Sequence, residues 1–362
     1  MAIIGHLWLH FWLMMKTHSL EIAADILRLI TEIDEFKTSW RLMQNLAPER
    51  LATLRRVATI ESIGSSTRIE GVKLSNSEIE QLLGNINRKS FVTRDEQEVA
   101  GYAELMDIIF QSYDDIVLSE NYIKQLHAIL LQYSDKDERH RGQYKILNNH
   151  VEAFDATGKS LGVVFHTATP FETPLKMQEL VYWTRESLAD NSLHPLLVIA
   201  VFVVVFLQIH PFQDGNGRLS RILTTLLLLK AGYRYVPFSS LESVIEQNKE
   251  GYYLALRRTQ GTLEEIKPNW SPWVRFFLSS LKAQKDRLAT KVTMQTPWGN
   301  LPKESVMIME HINQYGRITT SEAETITSAP RSTIKKRLGD LVEQGLLKRQ
   351  GQGRGSWYET SS

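Results

Sequence analysis

The stretch His210-Pro211-Phe212-Gln213-Asp214-Gly215-Asn216-Gly217-Arg218-Leu219-Ser220-Arg221 joins two apolar helices through one polar corner. Upstream, Leu196 to Leu207 is uncharged but shorter than the ~20 residues a bilayer span requires, so it reads as a buried central helix. Pro211 and the turn formers from Asp214 to Gly217 stop that helix, and Leu219, Ile222, Leu223, Leu226 and Leu227 recur at the spacing that starts another. The corner therefore sits at a helix N-terminus, where backbone N–H groups point outward and glycines let an anion approach the chain. Arg218 and Arg221, three apart, share one face of the first turn, where the helix macrodipole disfavours cations. Two cations so placed suggest a bound anion, and the corner reads as a nucleotide phosphate site.

At every fixed position this stretch matches the signature HPFx(D/E)GNGRxxR, and the chain resembles the Fic family of nucleotidyl transferases. The resemblance implies a mainly α fold, with a Fic-type helical core, a β-hairpin flap and ATP as substrate. It implies transfer of AMP from ATP to a Ser, Thr or Tyr hydroxyl of a protein target, with self-modification among the outcomes. Carried over residue by residue, it makes His210 the general base on the target hydroxyl and Asp214 the Mg²⁺ ligand. Gly215, Asn216, Gly217 and Arg218 would hold the α- and β-phosphates, Arg218 would pair with the β-phosphate, Arg221 would reach the γ-phosphate, and Phe212 would plug the core. The residue types suit that chemistry. A histidine near neutral pKa can take a hydroxyl proton, and phosphoryl-type transfer depends mainly on positioning and charge stabilisation.

A second motif lies far upstream. Ser66-Thr67-Arg68-Ile69-Glu70-Gly71 fits the inhibitory pattern (S/T)xxxE(G/N) of one class of Fic proteins. Ser66 and Glu70, four apart, share a helix face, and Gly71 is placed to end the helix. By resemblance Glu70 would pair with Arg221 and occupy the γ-phosphate position, leaving ATP in a pose unsuited to in-line attack. Between the motifs, His150 to Thr169 reads as a hairpin around Asp155-Ala156-Thr157-Gly158. In the resembling proteins such a flap pairs with an extended target by strand addition, which makes Val163, Val164, Phe165 and His166 the expected docking edge. Further on, Tyr252 and Tyr253 fall on a helix where the family contacts adenine, with Gln260 where an asparagine is common. For the tyrosines, adenine contact and core packing stay open.

The remaining periodicity is mostly helical: Leu20 to Leu46, Glu49 to Ile69, Glu96 to Tyr113, Glu120 to Tyr133, Leu175 to Leu188 and Trp273 to Ala289. The expected organisation is an N-terminal helical region with the inhibitory motif over 16–95, a Fic core over 96–292, a linker around Thr293 to Pro302, and a further domain over 303–359. In that last domain Lys303 to Tyr315, Thr320 to Thr327 and Pro330 to Gln344 read as three helices, and the glycine-rich segment after Gly345 as two strands and a turn. This resembles a small winged helix-turn-helix. From Ser328 onward seven Lys/Arg oppose three Asp/Glu, a footprint suited to a DNA groove or equally to a protein contact. Residues 1–15 have no Lys or Arg before their apolar run and no small-residue cleavage site, so a signal peptide is not expected. Met15-Lys16-Thr17 opens an ordinary helical pattern, so 1–15 is expected to be a start-site extension or a loosely packed helix.

Composition bounds the rest. With 43% hydrophobic and 23% charged residues the chain is an ordinary globular one, and no membrane association is expected. The absence of cysteine excludes disulfides and thiolate metal sites and fits a cytoplasmic location. Two other functions remain open at this stage. One is removal of AMP from a modified protein, with Glu70 positioning water. The other is DNA-binding regulation in which the Fic core senses nucleotide. Whether the chain works as a homodimer is also open.

Overall fold

The computed structural model describes residues 17–42, 48–84, 91–154, 160–293, 301–351 and 356–361. The expectations for the first 15 residues, the hairpin tip, Thr296 to Asn300 of the linker and the turn of the wing lie outside the described residues. The chain divides into two compact units between Ala289 and Thr290.

The first unit is built around α7. Its neighbours in the chain are α1 (Ala24–Leu42), α2 (Pro48–Ile69), α3 (Asn76–Gly84), α4 (Arg94–Ser112), α5 (Glu120–Leu130), strands β1 (His150–Phe154) and β2 (Ser160–His166), α6 (Thr173–Ala189), α7 itself (Pro195–Ile209) and α8 (Asn216–Lys230). Then follow α9 (Leu241–Gln247), α10 (Lys249–Gln260) and α11 (Ser271–Thr293). Because α7 is apolar on every side, it is stable only when enclosed. From Leu196 to Val204 no residue is more than 4% exposed, and α6, α8 and α10 pack around it. Pro195 supplies the pre-set φ of a first helical position, and His194 Nδ1 accepts the Leu196 N–H at 3.3 Å. No helix among the described residues is long and apolar enough to cross a membrane.

α2 packs on α9, α4, α3 and α8, which carries its C-terminal end to the start of α8. A capping box fixes the start of α4: Thr93 Oγ1 accepts the Glu96 N–H at 3.2 Å and the Glu96 carboxylate accepts the Thr93 N–H at 2.9 Å. The hairpin is antiparallel and irregular. His150 pairs with His166, Val151 with Phe165 and Glu152 with Val163, so Val164 is an extra residue at a bulge that simple alternation did not anticipate. The helix expected to reach Tyr133 ends at Leu130, where the Leu131 N–H turns back to the carbonyls of His127 and Ile129. α3 and α9 are short elements without an apolar period long enough to read in advance.

The second unit comprises α12 (Lys303–Tyr315), β3 (Ile318–Thr319), α13 (Thr320–Thr327), α14 (Arg331–Glu343), β4 (Leu347–Gln350) and β5 (Trp357–Thr360). Its sheet is antiparallel in the order β3-β5-β4. Ile308, Ile312, Ile318, Ile334, Leu338 and Leu341 form one core, each at most 1% exposed. Of the positions whose spacing on α14 predicts an inward face, Ile334, Leu338 and Leu341 are buried, whereas Val342 is only partly buried against the same core.

Candidate active site

The polar corner is a short loop with the end of α7 on one side and the start of α8 on the other. α7 terminates at His210, a non-glycine residue in the left-handed region at φ 52° and ψ 61°. Such a backbone is sparsely populated and persists only where its surroundings over-determine it. The imidazole Nδ1 lies 3.3 Å from the Leu207 carbonyl oxygen. A carbonyl only accepts, so this contact puts the proton on Nδ1 and leaves the Nε2 lone pair available. Burial lowers the His210 pKa to about 4, with Lys145 also disfavouring the cation, so the ring is neutral at neutral pH.

The loop is braced by side chains that sequence reading had not singled out. Lys145 Nζ donates to the Ile209 carbonyl at 3.0 Å, to Asn149 Oδ1 at 2.7 Å and to Thr167 Oγ1 at 3.0 Å. Asn149 Nδ2 donates to the Phe212 carbonyl at 2.9 Å. Phe212, fully buried as expected, stacks on His127 at 3.8 Å between ring centroids. That histidine accepts the Gly142 N–H at Nδ1 (2.8 Å), so its Nε2–H donates to the Asp214 carbonyl (3.0 Å). Burial holds its pKa down to about 4. Asn216, expected at the phosphates, turns inward: its Oδ1 accepts the Phe212 N–H at 2.9 Å and its Nδ2 donates to the Phe212 carbonyl at 2.7 Å. It shapes the loop from within.

Beside the loop, four charged side chains close a ring. Arg94 Nη2 lies 3.1 Å from Asp214 Oδ2, and Arg94 Nε lies 2.8 Å from Glu98 Oε1. Glu98 Oε2 meets Arg218 Nη1 at 2.9 Å, and Arg218 Nη2 returns to Asp214 Oδ1 at 3.2 Å. Burial opposes ionisation of Asp214, but Arg218, the Gly215 N–H and Arg94 outweigh it and hold the carboxyl below its usual range. Arg218 is thus held by two carboxylates. Among the described residues no group of three His, Asp or Glu side chains forms a metal cluster. Asp214 Oδ2 faces the Arg94 guanidinium, which neutralises the carboxylate there.

The end of α2 reaches the same place. The Val72 N–H bonds the Thr67 carbonyl at 3.2 Å and the Gly71 N–H bonds the Arg68 carbonyl at 3.1 Å, with Gly71 at φ 106°. This is a Schellman ending, which requires a left-handed residue at Gly71 and makes Glu70 the C-cap residue just past Ile69. From there Glu70 Oε1 meets Arg221 Nη2 at 2.7 Å. Arg221 Nε donates to Ser66 Oγ at 2.8 Å and its Nη2 to the Ser66 carbonyl at 2.9 Å. Ser66 and Glu70 of the upstream motif therefore clasp one arginine. Burial opposes ionisation of Glu70, yet Arg221 and then Arg218 hold its carboxyl below the usual range. A Cβ built on Gly217 would lie 2.2 Å from Glu70 Oε1. The carboxylate consequently rests directly over the first turn of α8, whose N–H groups have no intrahelical acceptor.

The other expected site residues divide. Tyr252 is buried beside Arg221, in ring contact with Tyr253 at 5.1 Å and Trp273 at 5.8 Å. The charges of Glu70 and Arg221 also act on Tyr253. Gln260, by contrast, is 3% exposed and donates through Nε2 to the Val204 carbonyl at 3.2 Å, bonding the core helix. Val163, Val164, Phe165 and His166 lie on β2.

Comparison with known proteins accords with this geometry. Residues 117–228, which include the whole corner, match the family model of the Fic/DOC family. Glu70, Arg94 and Glu98 lie upstream of the matched residues. The Protein adenylyltransferase Fic of Drosophila grimshawi is 28% identical over 162 residues, 44% of this chain and 29% of that protein. Its counterpart in Drosophila mojavensis is 34% identical over 108 residues, 30% of this chain and 19% of that protein. The matched segments span less than a third of those relatives. A Fic family protein from Desulfovibrio desulfuricans G20 shares the fold at a TM-score of 0.59 with 21% identity, covering 94% of this chain and 97% of the other. A Fic domain containing signaling protein from Bacteroides thetaiotaomicron aligns at a TM-score of 0.58 with 25% identity, covering 72% and 96%. Residues 117–228 are thus similar to the Fic/DOC family, within a mainly helical fold that solved Fic family structures share.

Proposed function

We propose that this chain is a protein adenylyltransferase held in check by Glu70. A target hydroxyl attacks the α-phosphorus of ATP, its oxygen bonds to phosphorus as the bond to the pyrophosphate breaks, and His210 Nε2 takes the hydroxyl proton. The neutral ring with its proton on Nδ1 supports that assignment, because the base must be free to accept at Nε2. The first-turn N–H groups of α8 and Arg221 receive the phosphates, and Asp214 would hold Mg²⁺ through its one carboxylate. Bound Mg²⁺ supplies neutralisation of phosphate charge, with most of its ligands coming from phosphate and water oxygens. Arg218 braces Asp214 while its two carboxylate partners remain in place, so its expected β-phosphate contact requires those partners to be exchanged.

The observation that carries the regulatory reading is the Glu70 carboxylate over Gly217, paired with Arg221. One anion already occupies the helix terminus and the arginine that a terminal phosphate would use. Glu70→Gly should therefore increase AMP transfer, read as AMP added to the protein itself or to an acceptor by mass spectrometry. Lower transfer in that variant, with efficient removal of AMP from a modified protein by the wild type, would instead make Glu70 a water-positioning group. The second unit, read as a winged helix, places exposed Lys335 and Lys336 on α14 and exposed Lys348 and Arg349 on β4, which supports a contact with DNA.

A further inference from the structure

Below the base of the hairpin, α6, α7 and the segment after α10 enclose a cavity of about 220 Å³. Val205, Ile209 and Trp270 line it with apolar surface, and Glu172, Lys176 and Glu179 bring charge to it. The Glu172 and Lys176 side chains pair with each other at 3.2 Å. Glu179 does not share in that pair. It is 5% exposed, and its carboxylate makes no hydrogen bond or ion pair among the described residues. Its oxygens open toward the cavity, where a carboxylate set in a largely apolar wall gains from a cation that enters beside it. Burial accordingly raises the Glu179 pKa, with Lys176 opposing.

The cavity adjoins the candidate active site. Ile209 precedes His210 in the chain, and Thr167, also in the cavity wall, accepts from the same Lys145 ammonium that holds the Ile209 carbonyl. An extended target added to the hairpin would run past this opening. The volume exceeds the ~150 Å³ of a cavity that admits benzene, so one long side chain fits.

We propose that this cavity is a specificity subsite for the target segment, taking a lysine or arginine side chain near the modified hydroxyl and pairing its cation with Glu179. The inference rests on reading the hairpin as the docking edge for a protein target. Val205 and Ile209 face the aliphatic stem, the Trp270 ring favours a cation, and the carboxylate completes a charge-assisted bond. A second carboxylate, Glu264, borders the same cavity and adds to the negative field.

The test has a binding arm and a transfer arm. In the full chain, n-butylammonium should shift the Trp270 indole N–H resonance saturably, and 1-butanol, its neutral counterpart, should bind at least about tenfold more weakly. Glu179→Gln, which keeps the volume, should weaken butylammonium by a similar factor. Its melting temperature should change little, since the side-chain volume is kept. In a Glu70→Gly background, acceptor peptides with lysine beside the serine should have a KM about tenfold below norleucine analogues, and Glu179→Gln should erase that ratio. Equal binding of the two probes would overturn the proposal. So would loss of ATP affinity in Glu179→Gln with butylammonium competing against ATP, which would assign the cavity to the nucleotide. Transfer retained without lysine preference strikes the subsite alone, whereas cation binding retained without any transfer strikes the adenylyltransferase reading alone.

Discussion

The Glu70 carboxylate stands where a side chain at Gly217 would have to stand, 2.2 Å from the position of a Cβ there. The α8 backbone at Gly217 has no left-handed φ, so alanine fits the helix and only the space beside it is contested. Gly217→Ala should therefore displace Glu70 from Arg221 without activating the protein, because the same methyl obstructs close approach of a phosphate to the backbone. ATP affinity measured by calorimetry should fall by about tenfold or more, in contrast to Glu70→Gly. Tighter ATP binding in Gly217→Ala would show that Glu70 and the phosphate do not share this position.

The depressed histidines set the pH response. His127 and His210 both have folded pKa values near 4 against about 6.5 in an unfolded chain. Between those values the unfolded state binds more protons, so stability falls as pH drops from about 6.5 toward 4. For the fully buried His127 the loss is at most about 3 kcal/mol. The melting temperature should decline across that window, and His127→Gln should flatten the slope. Transfer by the Glu70→Gly variant should show no acid limb from His210 until the pH approaches 4, since the base form is deprotonated above it. An inflection near 6.5 would contradict a base held neutral by its surroundings.

Some of this was legible in the sequence and some was not, for reasons visible in particular residues. Pro211, Gly215 and Gly217 act locally, so the corner between two apolar helices could be read from one window. Ser66, Glu70 and Gly71 were identified by motif, and the Schellman ending is the local device that aims Glu70. Arg94 and Glu98 belong to no motif that a sequence window offers. Their roles arise from tertiary placement, since Arg94 meets Asp214 across 120 positions in the chain. His127 and Lys145 were missed for the same reason. Asn216 and Gln260 carry the reverse lesson: a polar side chain at a signature or family position can be consumed by the backbone it braces, as the Phe212 and Val204 contacts show.

Arg94 occupies Asp214 Oδ2, the oxygen a metal would share. Both side chains are partly exposed, so their pair contributes no more than about 1 kcal/mol, and the buried Glu98 that Arg94 also meets keeps Arg218, so Arg94→Ala should still fold with a modest loss of stability. It should tighten Mn²⁺ binding to the nucleotide complex by up to about fivefold, read by electron paramagnetic resonance of free Mn²⁺, because a competing cation is gone. Weaker Mn²⁺ binding would mean that Arg94 orients Asp214 for the metal instead.

The exposed lysines of α14 offer a separate test of the second unit. If it reads DNA, full-length protein should bind duplex with an affinity that falls steeply with salt. Lys335→Ala and Lys336→Ala should each reduce the slope of log K against log salt by about 1 for a lost phosphate contact. A salt-independent affinity, or no duplex binding at all, would direct attention to a protein partner.

Arg221 makes the last prediction sharp, because it is 4% exposed and draws its charge compensation from Glu70. Removing the carboxylate leaves the guanidinium with the Ser66 hydroxyl and carbonyl, neutral acceptors only. A fully buried pair broken in this way loses about 3–5 kcal/mol; with roughly a third of the Glu70 side chain exposed, about 1–3 kcal/mol is the expected loss for Glu70→Gly. The vacated anion position should then be refilled by nucleotide. ATP should raise the melting temperature of Glu70→Gly more than that of the wild type, since stabilisation by a ligand grows with its concentration relative to its dissociation constant. In Glu70→Gly, Arg221→Ala the extra ATP-dependent shift should vanish, because no buried cation remains to be compensated. If the double variant keeps the full shift, the nucleotide does not depend on Arg221, and the contact between Glu70 and Arg221 braces the end of α2 without guarding a phosphate site.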